Sequence, residues 1–428
     1  MTLLRLSDEL SIRFAADSLG LLFVGLVSFI FLFVIFYAIG YMHHEGKSGQ
    51  FFLFYGLTWL FLVLLGLAAN AVTMYMCFEL MSVFSMPMVL HNGSRVSRDA
   101  AFKYLGYSAL GASLALLGLF LCAAAGVSLE FTPGGSVLPE GNEKLLQAAF
   151  LLVFIGFGAK AGLVPLQMWL TEAHPVAPSP ASAVLSGVIA KSGVFAIVRM
   201  LFWVLGSGVA AGSWVQTLLT IMALTTIFMG SMLALREKVL KKRLAYSTVS
   251  NVSYVLFGLL TFSAAGFTGA MLQVLFHALA KDVLFLAAGA IIMQTGCTHV
   301  DELRGIGKRM PVTMWCFTIA ALSLIGIPPT GGFVAKWYLA MAALEGGSVL
   351  GLTGIIVIMV SALLTAFYLL PIVSDAFFPG KDFVPEKSCE ITPQMRIPLI
   401  LFSALIILMG CFSGGLVKLF TALAGSLM

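Results

Sequence analysis

Long apolar runs separated by short polar loops dominate this chain and restrict what it can fold into. They lie near residues 20–42, 51–69, 71–91, 101–126, 145–170, 181–205, 213–235, 244–263, 267–293, 311–345, 349–374 and 396–423. A helix crossing a bilayer needs about 20 apolar residues, so each run is long enough for one crossing. Apolar or aromatic residues make up 60% of the 428, and only 10% are charged; mean hydropathy is +1.03. Those values exclude an ordinary soluble enzyme, a disordered chain and a fibre. Runs without period-two alternation exclude a membrane β-barrel. The fold class expected is an all-α membrane protein of about twelve transmembrane helices, with no sizeable soluble domain.

Two of the runs are interrupted. Pro165 follows Ala161-Gly162 in one, and Gly326-Ile327-Pro328-Pro329-Thr330-Gly331-Gly332 divides the other. Proline removes a backbone donor and clashes with the turn before it. In a bilayer such a break survives only where protein or water satisfies the freed groups, and broken helices often mark transport sites.

Cations in the loops give an orientation. Lys47, Arg95, Arg98, Lys103, Arg236, Lys238, Lys241, Lys242, Arg243, Arg304, Lys308, Arg309, Lys381, Lys387 and Arg396 fall in one set of loops. Arg5, Arg13, Lys144 and Lys418 fall in the other. The positive-inside rule then places both termini outside an inner (plasma) membrane. Arg199 lies near the outer end of its run and is expected to snorkel. The net charge of +5 is dispersed among the loops, so no nucleic-acid partner is expected. The N-terminal stretch shows no basic segment followed by a cleavage site, and no removable signal is expected.

The lysines left over are Lys160, Lys191, Lys281 and Lys336, all deep within apolar runs. A lysine at the bilayer centre costs roughly 2.5–3.5 kcal/mol on insertion scales. Glu79 and His277 share this burial, and His277 and Lys281, four residues apart, share one helical face. Each such group could be a structural ion pair or snorkel to an interface. For so many in separate runs, an ion pathway explains their retention better. Burial makes a lysine release its proton readily, and a nearby carboxylate restores it. A Glu–Lys pair of variable separation is therefore a switchable donor. Asp282 is ambiguous: it could pair with Lys281 or a loop cation, or join the relay. His174 reads as solvated, with a cap or proton-entry role as the alternative; His43, His44, His91 and His299 read as solvated loop residues.

Cys77, Cys122, Cys297, Cys316, Cys389 and Cys411 lack C-x-x-C spacing and read as structural. No Walker loop, dinucleotide fingerprint or metal constellation is legible, so no cofactor is expected.

At these residues the chain resembles a known family. FELMSVFSMP around Glu79 is similar to the glutamate helix of the antiporter-like subunits of respiratory complex I. GFGAKAGLVPLQMWLTEAHPVAPSPASAVLSGVIAKSGVFAIVRM resembles their two lysine helices, and KKRLAYSTVSNVSYVLFGL their loop-to-helix segment. FHALAKDVLFLAAG resembles their His-x-x-x-Lys helix, and GIPPTGGFVAKWYL their second broken helix. Complex I, energy-converting membrane hydrogenases and Mrp-type cation antiporters share these motifs. The likeness covers roughly 70–375.

The resemblance implies a proton- or sodium-translocating, non-redox subunit of a redox-driven membrane complex. A subunit of an Mrp-type cation/proton antiporter is the alternative. Partners would be other membrane subunits and peripheral redox subunits. Glu79 and Lys160 would be the modulating pair, Lys191 a bridge, His277 and Lys281 the central relay, and Lys336 the terminal lysine. The resemblance further implies two inverted five-helix repeats, at 51–205 and 213–374. Residues 1–50 would hold an N-terminal segment and first helix, and 375–428 a loop and last helix. Two departures stand out: the family's first two helices have no counterpart here, and Asp282 replaces a usually small apolar residue. An inert scaffold is the rival from another class; it predicts that the buried ionisable residues are dispensable.

Overall fold

The computed structural model describes residues 2–5, 11–136, 141–380 and 387–428. The sequence expectations for Lys381 and for the side chain of Arg5 fall outside what is described. Thr2–Arg5 (β1) pairs antiparallel with Ser11–Arg13 (β2), in register Thr2↔Arg13 and Arg5↔Ser11. This small hairpin was not expected from the apolar patterning.

The helices are α1 (Ser18–Glu45), α2 (Ser48–Gly66), α3 (Ala71–Val89), α4 (Arg95–Ala124), α5 (Glu143–Ala161), α6 (Met168–Val176), α7 (Ser179–Leu205) and α8 (Trp214–Arg236). They continue with α9 (Leu240–Leu260), α10 (Ala264–Thr295), α11 (Pro311–Ile325), α12 (Gly331–Glu345), α13 (Val349–Phe377), α14 (Pro393–Cys411) and α15 (Gly414–Gly425). Among the described residues ten helices are long and apolar enough to cross a membrane. The two remaining expected crossings are α9, which is more polar, and the divided pair α11/α12. The run at 396–423 is two helices, α14 and α15, rather than one.

Polar residues at the loop ends start the helices. Asp17, Asn70, Ser94, Ser213, Ser263 and Ser348 each accept a first-turn amide through the side chain, satisfying donors that have no partner within the helix. Packing then sorts the helices. The richest windows of α7 and α10 are 100% and 89% buried, whereas those of α2 and α13 are only 33% buried. The centre is thus α7 and α10, and the outer helices turn apolar side chains such as Leu53, Leu352 and Met359 outward. Close approach of α4 to α5 needs glycine: a Cβ on Gly156 would lie 2.5 Å from Ala115 N.

Both interruptions are breaks, and both are satisfied from within the protein. Helix α5 stops at Gly162, whose φ of 88° is left-handed. The Val164 amide then donates to Thr226 Oγ1 at 3.1 Å, and Trp169 Nε1 donates to Ala159 O at 2.8 Å. Helix α11 stops at Gly326, with φ 90°.

Several cations are not where the loop reading put them. Arg199 does not snorkel; it is fully buried, ion-paired through both terminal nitrogens to Asp17, and lies 4.8 Å from the Trp203 ring. Burial raises the Asp17 carboxyl, but the hydrogen bond and charge of Arg199 outweigh it and hold the group below its usual 3.8. Lys241 and Arg243 are buried too, donating to Ala177 O at 3.0 Å and Tyr368 O at 2.9 Å. His91 is buried, with Nε2 3.1 Å from Gly46 O, and burial holds down its charged form. His43, His44 and His299 are exposed, as read.

Candidate functional site

Lys160, Lys191, Lys281 and Lys336 are 1%, 1%, 0% and 8% exposed. Among the described residues none of them has a carboxylate within ion-pairing distance; hydroxyls and carbonyls hold all four.

Lys160 sits in the last turn of α5. Its Nζ donates to Tyr104 Oη (2.6 Å), Ser82 Oγ (2.9 Å) and Ser108 Oγ (3.1 Å). An ammonium has three donors, and all are used. The Tyr104 ring centre is 4.2 Å away, close enough for a cation–π contact. Glu79 is on α3, one turn before Ser82, so the two share a helical face. Glu79 as a whole is only partly buried, less than its place in the apolar run suggested, but among the described residues its Oε1 is buried without a hydrogen-bond partner. The expected Glu79–Lys160 pair is therefore held apart here, with the lysine solvated by hydroxyls.

The other lysines converge on α9. Helix α7 opens into a wider π-helical turn at Leu185–Ile189. Lys191 reaches back along α7 to donate to Ser186 O. Ser186 Oγ lies 2.7 Å from Thr248 Oγ1 on α9, which donates to Leu244 O at 3.1 Å. Lys281, from α10, donates to the same Leu244 O at 2.7 Å and to Ser247 Oγ. A continuous string of polar atoms thus joins Lys191 to Lys281.

Further along α9, Asn251 donates to Ser247 O at 2.9 Å and accepts from Gln273 Nε2 of α10 at 3.2 Å. Ser231, Ser250, Ser361 and Tyr254 form a hydroxyl cluster, Tyr254 Oη donating to Ser361 Oγ at 2.7 Å. The Tyr254 ring centre is 5.3 Å from Lys336 Nζ. Lys336, on α12, donates to Leu324 O (2.6 Å) and Ile325 O (2.8 Å) at the end of α11. A cation is favoured there because the carbonyl end of a helix is negative. The lysine therefore closes the break that its own span contains.

His277 is 2% exposed, and neither ring nitrogen has a hydrogen-bond partner. His174 is also fully buried with both nitrogens unpartnered, its ring stacked on Phe285 at 4.5 Å. This corrects its reading as solvated. Asp282 is fully buried as well.

Sequence reasoning found the charges but not the hydroxyls. Tyr104, Ser108, Ser186, Ser247 and Thr248 are too common a residue type to single out. One signal was present: α9 carries Ser247-Thr248, Ser250-Asn251 and Ser253-Tyr254 inside an apolar chain, with all six buried. A buried polar face in a membrane helix marks a pathway or an interhelical contact. Among the described residues no cluster of His, Cys, Asp and Glu could hold a metal ion.

Residues 68–365 match the family model described as NADH:quinone oxidoreductase/Mrp antiporter, TM, and residues 6–52 match the N-terminus of complex I chain 5. NADH-quinone oxidoreductase subunit N of Desulforudis audaxviator is 33% identical over 82% of this chain and 72% of that protein. Hydrogenase-4 component B of Escherichia coli is 34% identical over 75% of this chain but only 49% of its own length, so the chain spans about half of that relative. In three dimensions, a chain of the Mrp complex from Dietzia sp. DQ12-45-1b superposes with a TM-score of 0.85 at 23% identity, over 98% of this chain and 85% of that one. The motif helices, the two breaks and these matches agree: the chain belongs to the membrane-spanning NADH:quinone oxidoreductase/Mrp antiporter family.

Proposed function

We propose that this chain is the ion-translocating, antiporter-like subunit of a redox-driven complex of the NADH-quinone oxidoreductase or energy-converting hydrogenase type, moving protons or sodium ions across the plasma membrane. The observation that carries the reading is the solvation of four buried lysines by hydroxyls and carbonyls, without carboxylate partners. A structural ion pair would hold a carboxylate; a proton carrier needs groups that accept either protonation state.

In the mechanism, a change in a neighbouring subunit moves Glu79 relative to Lys160. With Glu79 close, Lys160 keeps its proton; with Glu79 distant, it releases it toward Lys191. The Ser186 and Thr248 hydroxyls and the Leu244 carbonyl line the way to Lys281 and stabilise the charge as it passes through water, His277 flanks that step, and Lys336 delivers the ion beyond the second break. Coulomb coupling at an effective dielectric near 20 is on the order of 1–4 kcal/mol over about 4–15 Å, enough to bias such a handover. The partners are the other membrane subunits and a peripheral redox arm.

The two inverted repeats, 51–205 and 213–374, have support in the order of elements. Each holds five crossings and each is broken at its fourth. An odd number of crossings starts the second block on the opposite face, which inverts it. The loop cations that remain exposed, such as Arg95, Arg98, Lys238 and Arg304, support an orientation with both termini outside.

The test uses the complex purified through a tag on this chain and reconstituted in liposomes. Glu79→Gln and Lys160→Met should each abolish proton or sodium uptake while the complex still assembles. A full gradient from both variants overturns the relay. Sodium uptake driven by a pH gradient without any redox substrate would instead establish an Mrp-type antiporter.

A further inference from the structure

Asp282 is the buried charge that the relay above does not use. It lies on α10 next to Lys281, and the two project about 100° apart. Lys281 turns to α9, where Leu244 O and Ser247 Oγ take its ammonium. Asp282 turns to α7. Its carboxylate rests on the bare Cα of Gly187: a Cβ there would lie 2.8 Å from both Asp282 Cγ and Oδ2, and closer still to Oδ1. Gly187 is in the middle of the π-helical turn Leu185–Ile189. The next carbonyl back along that turn, Ser186 O, is the one that holds Lys191 Nζ. The carboxylate and the ammonium therefore both abut one turn of α7, beyond ion-pairing distance of each other.

Neither partner is saturated. Among the described residues, both Asp282 oxygens are buried with no hydrogen-bond partner. Among the described residues, Lys191 Nζ makes one hydrogen bond, to Ser186 O, of the three an ammonium can donate. A buried carboxylate without a counter-charge is strongly disfavoured. Lys191 is the cation that the same turn brings toward it, its Nζ held by the carbonyl next to Gly187. The hydroxyl of the buried Tyr55 on α2 is committed to Phe31 O at 2.8 Å.

We propose that Asp282 and Lys191 form a second carboxylate–lysine couple, with Asp282 exchanging a proton with Lys191 across the α7–α10 contact that Gly187 opens. In the exchange one N–H bond of the Lys191 ammonium breaks and one O–H bond forms on Asp282, leaving amine and carboxylic acid. The reverse step restores both, and no other reactant is needed. The couple does for Lys191 what Glu79 does for Lys160: it sets when the lysine is charged. This rests on the proposed function, since an exchange between these groups has a purpose only if ions pass.

The experiment drives proton uptake into liposomes holding the tagged complex with a potassium diffusion potential, read by an entrapped pH dye. Asp282→Asn keeps the shape and should slow uptake about tenfold or more. The double variant Asp282→Asn/Lys191→Met should be no slower than Lys191→Met alone, because the two act as one unit. Wild-type uptake by an assembled Asp282→Asn complex overturns the proposal, as does a double variant whose losses simply multiply. Should Asp282→Asn fail to assemble, infrared difference spectra of the wild-type and Lys191→Met complexes decide. A carboxyl band appearing during uptake, and displaced by Lys191→Met, supports the couple; a band indifferent to Lys191→Met refutes it. Glu79→Gln on the same vesicles separates the two claims: if it also conducts fully, the relay itself is wrong, and if it alone is silent, only the couple is.

Discussion

Replacing Thr248 with valine removes one hydroxyl and nearly preserves the side-chain shape. In the structure that hydroxyl is the link between α7 and α9, 2.7 Å from Ser186 Oγ and donating to Leu244 O at 3.1 Å. The Leu244 carbonyl also holds Lys281 at 2.7 Å. Without the hydroxyl, a charge passing from Lys191 to Lys281 loses one charge-assisted hydrogen bond along its way, about 1.5–3 kcal/mol. If that loss falls on the transfer barrier, conduction slows about 10- to 150-fold. Stability should change less, because the neutral Ser186–Thr248 bond is worth only about 0.5–1.5 kcal/mol net. The assay is ion uptake by the reconstituted complex, normalised to assembled complex on a native gel. Thr248→Ser keeps the hydroxyl and should conduct at nearly the wild-type rate. Equal rates for wild type, Thr248→Val and Thr248→Ser would refute the string as the route.

Three further outcomes follow from the geometry. Asp17→Asn leaves the fully buried Arg199 without its counter-charge; because the Asp17 side chain is 39% exposed, solvent screens the pair and the loss should be about 1–3 kcal/mol, seen as a lower unfolding temperature in detergent; Asp17→Asn/Arg199→Met should recover much of it. Because Arg199 holds the Asp17 carboxyl below 3.8, the pair's contribution is present above that value and lost as pH falls through the lowered folded-state value. Acid should therefore reduce the wild-type unfolding temperature more than that of the double variant. Lys238 is an exposed cation facing Asp301 at 3.5 Å, and Lys238→Gln should leave the rate of ion uptake unchanged, with any effect confined to insertion or docking.

The apolar runs were enough to read the fold class, because a backbone in oil must satisfy itself locally and so forms helices wherever the runs are long enough. The two breaks were legible because glycine and proline fall close together there: glycine permits the left-handed stop at Gly162 and Gly326, and proline removes a backbone donor just beyond. The expensive ions were legible by their rarity, so Glu79, Lys160, Lys191, His277, Lys281 and Lys336 stood out in the linear text. Arg199 shows the limit of such reading. Its place near the end of a run suggested snorkelling, but only the folded chain brings Asp17, from 182 residues away, to its side.

Tertiary structure alone decided what each ion touches. Hydroxyls are cheap in any sequence and acquire meaning only when packing aims them at a charge, as Ser82, Tyr104 and Ser108 are aimed at Lys160. The facing of Asp282 is decided the same way. Next to Lys281 in the chain, it meets Gly187 on another helix, because successive helical residues point in different directions and neighbouring helices choose which direction is filled. Composition and periodicity depend on neighbours along the chain, and that is why they survive in one dimension; the partner of a buried charge depends on neighbours across space, and these exist only once the helices have packed.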